Sequence, residues 1–414
     1  MAIKFLPKRT RSLRRTYHKL TILLIAALLI YLWIHLSESR RASDAKRTPH
    51  HDVADKPRFL YHSRFRDHPD YDYEATIDTA LRAVEERAMS ETKGTIEAKE
   101  RIWQIRLDEE GPGEDVERGD DSSDFEFMND EWEYELITKT TAIKFIKDTF
   151  SSIPDLLHTY NTYPYDVLRA DLLRYLILWY YGGYYADMDI YPARSIKGCP
   201  SMKPLFQSMS KAKPTVSLVL GVEIDEPYAS PQLLREWKWT RSYQFIQYNI
   251  YAPRRFSPLL RRAIVRTLAH TKQHNERNSF FSRGKYTQNS VLEISGPGMF
   301  TDAILDTLSE TLRRTHPLIT TSVEKDKDVG ELGPESKVGS WKRITWAPFH
   351  NLQDSLWIDA SDAEDMGGLG VLPVRVWGNG QRHSGAGTFK AKEACVNHRF
   401  GGTWKKTWWE WAFG

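Results

Sequence analysis

Two aspartates, Asp187 and Asp189, are the residues whose type and spacing most clearly predict chemistry. Segment 166–192 reads DVLRADLLRYLILWYYGGYYADMDIYP, so a long apolar run and a Gly-Gly pair precede the acidic pair. Carboxylate oxygens suit Mg²⁺ or Mn²⁺, with water and phosphate oxygens filling the remaining positions. Such an ion neutralises a diphosphate leaving group. Both aspartates are therefore candidate catalytic residues and metal ligands.

The residues before this pair predict a buried helix. Asp166 is a suitable N-cap, Val167–Tyr180 is apolar on most faces, and Gly182-Gly183 is a helix stop. Asp171 and Arg174 are three residues apart and so share one face of this helix. Two charges on an apolar helix need a reason. Either they form a buried internal salt bridge, or they border a donor site, where Arg174 contacts sugar or phosphate and Asp171 hydrogen-bonds sugar hydroxyls.

A strand is predicted at Tyr184–Ala186, with the two aspartates at its carboxyl end. Because strand side chains alternate, Met188 should point away while both carboxylates face one site. The pattern Asp-x-Asp also occurs at residues 70–72 and 326–328. Those copies lie in charged, loop-like sequence, which indicates solvated carboxylates.

The N-terminus predicts a membrane anchor. Residues 1–19 hold seven Lys or Arg and no acid, and Leu20–Leu36 contains no Asp, Glu, Lys or Arg. That length is enough to cross a thin bilayer. Positive charge before the span predicts a single-pass type II protein, with residues 1–19 in the cytoplasm, residues 20–36 in the membrane and everything after residue 36 in the lumen. The alternative is a cleaved signal peptide, which usually has a shorter apolar region followed by small residues.

The remaining chain divides into a stem and one catalytic domain. Residues 37–97 are polar, with one helix predicted at Tyr73–Ala88, and residues 98–414 are predicted to be the catalytic domain. Strands are predicted at Ile102–Ile105 and Glu133–Ile137, and the acidic stretch between them resembles a surface insertion.

Composition narrows the class of protein. Hydrophobic residues make up 41% of the chain and aromatic residues 12%, which excludes wholesale disorder. After the basic tail, 51 basic residues stand against 55 acidic ones. A nucleic-acid partner, which would require a basic face, is therefore not expected.

The string RADLLRYLILWYYGGYYADMDIYP resembles the sugar-binding region of glycosyltransferase family 32, whose members carry a similar Arg-Ala-Asp, Arg-Tyr, Gly-Gly and Asp-x-Asp succession. Further similar segments follow the family order: Ile102-Trp103-Gln104, Gly221-Val222-Glu223, Gln244–Asn249, Ser295-Gly296-Pro297-Gly298 and His398–Lys405. Within the family, the layout is most similar to the branch that initiates α-1,6-mannosylation of fungal N-glycan outer chains. The sphingolipid mannosyltransferase branch is similar around the Asp-x-Asp pair but usually has an additional membrane segment.

The resemblance implies an α/β, Rossmann-like type A glycosyltransferase fold with a mixed sheet. It also implies GDP-mannose as donor, Mn²⁺ or alternatively Mg²⁺ as cofactor, and an N-glycan or other glycan as acceptor. A Golgi membrane protein, with a mannosyltransferase complex as partner, is the corresponding expectation. The alternatives are a transferase of the same fold that uses a UDP-sugar or a glycolipid acceptor, and an inactive, membrane-tethered subunit.

The resemblance also assigns roles. Asp189 is expected to bind the metal directly and Asp187 directly or through water, while Asp171 and Arg174 hold the donor sugar. His398 is expected as a third metal or diphosphate ligand, unless it is a packed or surface histidine. The other substrate-binding residues expected are Gln104, Gly183, Glu223, Gly296 and Pro297.

The resemblance implies transfer with retention, and no residue is recognisable as a nucleophile. The expected mechanism, borrowed from the family, is therefore a front-face reaction in which the departing phosphate takes the acceptor proton. Arg174 is expected to stabilise that phosphate. Glu223 and Asp225 either line the acceptor side or are structural carboxylates. Cys199 and Cys395, the only cysteines, either form one disulfide in an oxidising lumen or are separate buried thiols.

Overall fold

The computed structural model describes residue 28 and residues 63–206, 214–278, 286–327 and 344–399. All of these except Leu28 belong to one compact unit, Ala54–Gly414. The predicted cytoplasmic tail and, apart from Leu28, the predicted span lie outside the described residues. Within the described ranges, no helix combines the length and the hydropathy that crossing a membrane requires. The anchor stays a prediction.

A mixed sheet of eight strands forms the centre of this unit. The strands, in chain order, are β1 (Arg101–Arg106), β2 (Glu133–Thr138), β3 (Gly183–Ala186), β4 (Ile190–Pro192), β5 (Leu218–Asp225), β6 (Tyr243–Phe245), β7 (Asn249–Ala252), β8 (Leu356–Ile358), β9 (Leu369–Leu372) and β10 (Val396–His398). The sheet order is β2-β1-β3-β7-β5-β9-β8, with β6 paired to β5, while β4 and β10 form a separate antiparallel ribbon. An α/β fold with a mixed sheet is thereby confirmed.

Strand directions bring two important strand ends to one edge. β3 and β5 are both antiparallel to β7, which lies between them, so they run the same way. β1, β2 and β9 share that direction through parallel pairings. In open α/β sheets, ligands bind outside the carboxyl ends of the parallel strands. The ends of β3 and β5 therefore define the edge where a site is expected.

Helices cover the sheet. They are α1 (Arg64–Asp67), α2 (Tyr71–Glu91), α3 (Asp120–Phe127), α4 (Lys139–Phe150), α5 (Pro154–Thr162), α6 (Asp166–Tyr181), α7 (Lys203–Phe206), α8 (Pro231–Trp237), α9 (Pro258–Asn278), α10 (Gln288–Ile294), α11 (Pro297–Thr311), α12 (Pro317–Asp326) and α13 (Val374–Trp377). Several begin with proline, whose fixed φ and missing N–H suit the first helical position.

The sheet separates two apolar cores because successive side chains point to opposite faces. Ile102 and Tyr184 enter the smaller core, whereas their neighbours Trp103 and Tyr185 enter the larger one. The larger core also takes most of α6, in which Leu172 and Leu176 are fully buried. A helix buried on most sides cannot show a narrow apolar stripe, which is why its sequence is apolar nearly throughout.

Helix α6 confirms the predicted helix but corrects its start. Tyr165 is the N-cap and makes no side-chain capping bond, while Asp166 is the first helical residue. The Asp166 carboxylate accepts a hydrogen bond from Arg169 instead, at 2.8 Å. An acidic residue in the first turn still complements the helix dipole. The helix ends at Gly182, whose φ of 68° is the positive value for which glycine is preferred.

The helix predicted within the stem is longer than expected and packs on the domain. It spans Tyr71–Glu91, and Ile77, Leu81 and Val84 are buried in the larger core. Its Glu74 is 3.3 Å from Arg266 of α9. From residue 63 onward, the segment predicted as stem is thus continuous with the core of the domain.

The acidic stretch between β1 and β2 is only partly a surface insertion. It contains helix α3, in which Phe125 is fully buried and Ser122 nearly so. The expectation of a surface insertion was wrong for this helix, because the Phe125 side chain enters the smaller core. The acidic residues of the helix do face solvent. The strands on either side are confirmed.

Candidate active site

The Asp187–Asp189 segment is a turn that follows β3. Strand β3 ends at Ala186, and the Ile190 N–H donates to the carbonyl oxygen of Asp187 at 3.1 Å. The Asp187 N–H donates to the carbonyl oxygen of Tyr248 at 2.9 Å. The prediction that strand alternation orients the two carboxylates was therefore wrong. The turn directs Asp187 and Asp189 toward different partners.

Asp187 faces the buried helix α6. Its Oδ1 accepts a hydrogen bond from the Tyr185 hydroxyl at 2.5 Å and lies 3.5 Å from Nη2 of Arg174. Burial raises the pKa of Tyr185 well above its ordinary value, with the carboxylate of Asp187 adding to the effect, so this hydroxyl keeps its proton. Sequence reasoning missed Tyr185, although its place two residues before Asp187 was a usable signal.

Asp171 and Arg174 form the salt bridge that their spacing allowed. Nη2 of Arg174 is 3.0 Å from Oδ1 of Asp171, and the two residues are 6% and 4% exposed. Burial raises the pKa of Asp171 to about 7, although Arg174 opposes the shift. Burial alone would lower the pKa of Arg174, but the carboxylate of Asp187 helps to raise it, so the guanidinium stays charged. A fixed positive charge thus lies beside the turn.

The Gly-Pro loop reaches this pair through its neighbour Ser295. Ser295 Oγ donates to Oδ2 of Asp171 at 2.7 Å, and its carbonyl oxygen accepts from the Tyr175 hydroxyl at 2.8 Å. Gly296 and Pro297 start helix α11, as N-cap and first residue. Both expected residues therefore follow directly on Ser295, but the side-chain contact with Asp171 is made by Ser295 itself, to which sequence reasoning gave no role.

Gln247 links this loop to Arg174. Its carbonyl oxygen accepts from Nη1 of Arg174 at 3.1 Å, and its side-chain amide donates to Ser295 O at 2.9 Å. Gln247 and Ser295 therefore hold Arg174 and Asp171 in fixed orientations.

Gln104 and Gly183 support the turn from β1 and β3. Gln104, which is fully buried, donates through Nε2 to the carbonyl oxygen of Asp187 at 3.2 Å. Gly183 has a φ of 98°, and a Cβ there would come within 2.6 Å of the Arg101 carbonyl oxygen and 2.8 Å of Trp103 Nε1. Glycine at 183 is explained by this close packing of β3 on β1. Substrate contact by either residue stays a prediction.

His398 lies on the other side of the turn. Its Nε2 is 3.2 Å from Oδ1 of Asp189, and its ring stacks on Tyr248 with centroids 4.3 Å apart. His398 belongs to β10, which pairs with β4 and places His398 opposite Ile190. The Arg399 N–H also donates to the Asp189 carbonyl oxygen, at 3.0 Å. The structure thus brings the late histidine to the acidic turn. Residues 400–405 of its motif lie outside the described ranges.

A disulfide fastens this ribbon. Cys199, in the loop after β4, is bonded to Cys395, which directly precedes β10, and their Cα atoms are 5.5 Å apart. Both cysteines are buried. Of the two alternatives left open by the sequence, the structure contains the disulfide.

The two carboxylates of β5 have different surroundings. Asp225 is buried and accepts from Nδ1 of His350 and from the Asn351 N–H, each at 2.7 Å, so it is a structural carboxylate. Glu223 is half-buried. Its charge, after burial, helps to raise the pKa of Tyr248, as do the charges of Asp187 and Asp189, which places Glu223 near the acidic turn.

The donor set beside Asp189 fits a divalent cation. Adjacent ligands of an octahedral ion with bonds of about 2.1 Å lie about 3 Å apart, close to the 3.2 Å between Asp189 Oδ1 and His398 Nε2. In the part of the chain that is described, no three His, Cys, Asp or Glu side chains converge as a ligand cluster. Asp189 and His398 are thus two candidate ligands, and a third from Asp187 stays a prediction.

Residues 120–210 match the family described as "Glycosyltransferase sugar-binding region containing DXD motif". The chain carries a glycosyltransferase sugar-binding region. This region runs from helix α3 through the buried Asp171–Arg174 pair to the residues after the ribbon strand β4, and it contains the acidic turn. The domain built around it is a glycosyltransferase domain.

Similar proteins carry related names. The "Initiation-specific alpha-1,6-mannosyltransferase" of Saccharomyces cerevisiae is 24% identical over 354 residues, covering 67% of this chain and 71% of that protein. The "Putative glycosyltransferase HOC1" of the same species is 28% identical over 254 residues, covering 61% of this chain and 53% of that protein. "Inositol phosphoceramide mannosyltransferase 3" of Schizosaccharomyces pombe is 40% identical over 63 residues, covering 15% of this chain and 17% of that protein. The chain thus spans only about half the length of the second relative.

Proposed function

We propose that this chain transfers mannose from GDP-mannose to a glycan, with retention of configuration and with a divalent metal ion bound at the acidic turn. The observation that carries the proposal is the position of the Asp187–Asp189 turn between the buried guanidinium of Arg174 and the imidazole of His398. Positive charge on one side and a pair of metal-binding atoms on the other suit a nucleoside diphosphate leaving group.

On the donor side, Arg174 supplies a charge that cannot move away. Asp171, Asp187 and the carbonyl oxygen of Gln247 hold its guanidinium. Because only 6% of Arg174 is exposed, it acts mainly by stabilising negative charge nearby and less by wide contact with the sugar. A preorganised charge of this kind stabilises a departing phosphate without reorganisation during the reaction.

On the metal side, Asp189 and His398 would hold Mn²⁺, or Mg²⁺ as the alternative. The ion would neutralise the diphosphate as the bond to the sugar breaks. Tyr185 keeps Asp187 in place by donating to its Oδ1, and Gln104 supports the same residue through its backbone. Both contacts fix the turn before substrate arrives.

The acceptor side supports a front-face reaction. Glu223 lies near Tyr248 and the acidic turn, and we assign it to the acceptor side and to no nucleophilic role. The departing phosphate would then take the proton of the acceptor hydroxyl on the same face of the sugar. The arrangement of strands and the edge used are compatible with a Rossmann-like type A glycosyltransferase fold.

The proposed class of acceptor is inferred from the resemblance and from the names of similar proteins. Similarity to initiation-specific α-1,6-mannosyltransferases supports α-1,6-mannosyl transfer. The N-glycan acceptor, the type II orientation in the Golgi membrane and the mannosyltransferase complex belong to the proposal through the sequence resemblance. A glycolipid acceptor is the second candidate, because a segment of 63 residues is 40% identical to an inositol phosphoceramide mannosyltransferase.

A donor panel tests the proposal. The full chain in detergent is incubated with GDP- and UDP-sugars, with Mn²⁺ or with EDTA, and released nucleotide is measured. Manganese-dependent release of GDP from GDP-mannose, lost in Asp189→Asn and kept in Asp72→Asn, is the expected result. Asp72 is the matched control because it is an exposed residue of another Asp-x-Asp pattern. Turnover of a UDP-sugar alone would contradict the assignment of GDP-mannose as the donor. No turnover by the folded protein would favour an inactive subunit.

A further inference from the structure

Three aromatic rings pack together on the surface in a cluster formed by Trp237, Trp239 and His383, here called the aromatic platform. The two indoles have ring centroids 5.2 Å apart, and His383 is 5.2 Å from Trp237 and 4.6 Å from Trp239. Trp237 is 42% exposed, and Tyr228 in the same connection between β5 and β6 is 41% exposed. A contiguous group of exposed aromatic rings, unlike a single exposed ring such as Tyr71, is typical of a binding surface.

The backbone that presents these rings is in an unfavourable conformation. Lys238, between the two tryptophans, has a φ of 56°, and Ser384, next to His383, has a φ of 58°. These are two of the five non-glycine residues with positive φ in the described ranges. Lys238 is the C-cap of α8, and a left-handed residue commonly ends a helix. Ser384 ends no helix, and a positive φ at such a residue is costly and is found most often at functional sites. The Lys238 and Ser384 N–H groups donate to Arg235 O and to the Glu226 carboxylate, which hold this conformation.

The platform lies beyond the acidic turn on the same edge of the sheet. Val219 of β5 pairs with Tyr251 of β7, which pairs with Tyr184 of β3, so Gly221 is level with the end of β3. β5 continues to Asp225, and four further residues at about 3.3 Å each carry it about 13 Å past β3. Glu223 lies along this projection, between the level of the turn and the platform.

The chemistry of the platform suits a sugar chain. An indole offers a flat apolar face for the C–H groups of a pyranose and an N–H at its edge for a hydroxyl. Burial lowers the pKa of His383 to about 4, so the third ring is uncharged at neutral pH and is suited to an uncharged ligand. Binding sites for polar organic ligands combine such aromatic surfaces with a few polar groups.

We propose that the aromatic platform binds the acceptor oligosaccharide, through sugars beyond the one that receives the transferred residue. The inference rests on the proposed function for the class of ligand, because the acceptor is a glycan in that reaction. The distance of the platform from the turn assigns it to a distal part of the acceptor. A monosaccharide acceptor would not reach it.

Binding of a mannose oligosaccharide from an N-glycan tests this proposal independently of turnover. Calorimetric titration of the full chain should show the dissociation constant rising about tenfold in Trp237→Ala, as expected for truncating an anchoring tryptophan, and much less in Trp237→Phe. Tyr71→Ala is the control, because Tyr71 is an equally exposed aromatic on α2. An unchanged melting temperature of Trp237→Ala, expected for an exposed residue, verifies the fold.

Turnover adds a second measurement. The KM for the oligosaccharide should rise in Trp237→Ala, while the KM for a methyl mannoside and the hydrolysis of the donor stay unchanged. Equal oligosaccharide affinity in wild type and Trp237→Ala, or no affinity in wild type, would overturn the proposal that the aromatic platform binds the acceptor. Loss of oligosaccharide binding in Trp237→Ala without any turnover of GDP-mannose would keep the platform and reject the proposed donor.

Discussion

Nε2 of His398 lies 3.2 Å from Oδ1 of Asp189, although the two residues are far apart in the chain. The connection between them is made by the β4–β10 ribbon and by the Cys199–Cys395 disulfide, which joins the two sides of that ribbon. The last described strand therefore completes the site that begins with the acidic turn. Several measurable consequences follow from this closure and from the charges buried elsewhere in the domain.

Replacing the histidine should weaken metal binding without unfolding the domain. His398→Ala removes one of the two proposed ligand atoms, so we expect Mn²⁺ affinity to fall at least tenfold. Electron paramagnetic resonance of added Mn²⁺ measures the free ion directly. His68→Ala is the control, since His68 is exposed. Equal Mn²⁺ affinity in both variants would mean that His398 is only a packed histidine against Tyr248.

Breaking the disulfide should lower stability and loosen the same ribbon. Cys395→Ser releases a cross-link between residues 196 positions apart, and losing a native disulfide typically costs about 2–5 kcal/mol. Urea unfolding of wild type and variant, both without reductant, measures the difference. We also expect weaker Mn²⁺ binding, because β10 carries His398. Two thiols that react with a thiol reagent in the unreduced, urea-unfolded protein would contradict the bond itself, since both cysteines are buried in the native state.

The local sequence before the acidic turn predicted the helix, its glycine stop and the strand that follows. Helix α6, its glycine stop and strand β3 follow from apolar patterning and from Gly182, which adopts positive φ. The spacing of Asp171 and Arg174 anticipated their salt bridge, because helical residues three apart are neighbours. The direction of the carboxylates did not follow, since it depends on the hydrogen bond from Asp187 N–H to Tyr248, a residue of a distant segment.

Other parts of the site depend on chain topology, which periodicity does not encode. The contacts of Ser295 with Asp171 and of Gln247 with Arg174 require α11 and the β6–β7 connection to meet α6. The position of His398 was expected only from family resemblance. Likewise, the acidic stretch looked like an insertion because Phe125, the one buried apolar residue of α3, does not make a pattern.

The buried ion pairs around α11 should be far more important for stability than those on the surface. Arg241 is 2.6 Å from Glu293 and 2.8 Å from Asp302, and its side chain is 4% exposed. The pKa of Asp302 is lowered because Arg241, with help from Arg66, outweighs the opposing effect of burial. Removing this guanidinium leaves Glu293 without its partner and leaves Asp302 with Arg66 alone, 3.4 Å away.

We expect Arg241→Met to lower the free energy of unfolding by about 3–5 kcal/mol. Arg82→Met is the matched control. Arg82 pairs with Asp78 on the surface with its side chain 57% exposed, and such pairs contribute about 0–1 kcal/mol. Urea unfolding at neutral pH compares the two variants. Similar losses in both would show that burial of the Arg241 network is not what makes it stabilising.

His270 should make the domain sensitive to acid. Burial lowers the pKa of His270 to about 3, and the ring stacks on Phe65 at 4.5 Å while Nδ1 bonds the Glu293 carbonyl oxygen at 2.9 Å. A carbonyl oxygen only accepts, so Nδ1 carries the proton of the neutral ring. Nε2 is buried and has no hydrogen-bond partner in the described structure, so a proton added there would be buried without an acceptor.

The sign of the pH dependence follows from this lowered pKa. The unfolded chain takes up a proton at His270 below about pH 6.5, whereas the folded protein takes it up only near pH 3. Stability is therefore lost as the pH falls through that window, because the unfolded state binds more protons. Between pH 7 and pH 5 the loss from this one residue is about 2 kcal/mol.

His270→Gln removes the titrating group and keeps a side-chain donor for Glu293. We expect the variant to be less stable than wild type at pH 7, because the stacking on Phe65 is lost, yet to lose about 2 kcal/mol less than wild type when the pH is lowered to 5. Urea unfolding at both pH values gives the two differences, and His68→Gln controls for an exposed histidine. If wild type and His270→Gln lose equal stability between pH 7 and pH 5, His270 is not held neutral in the folded protein.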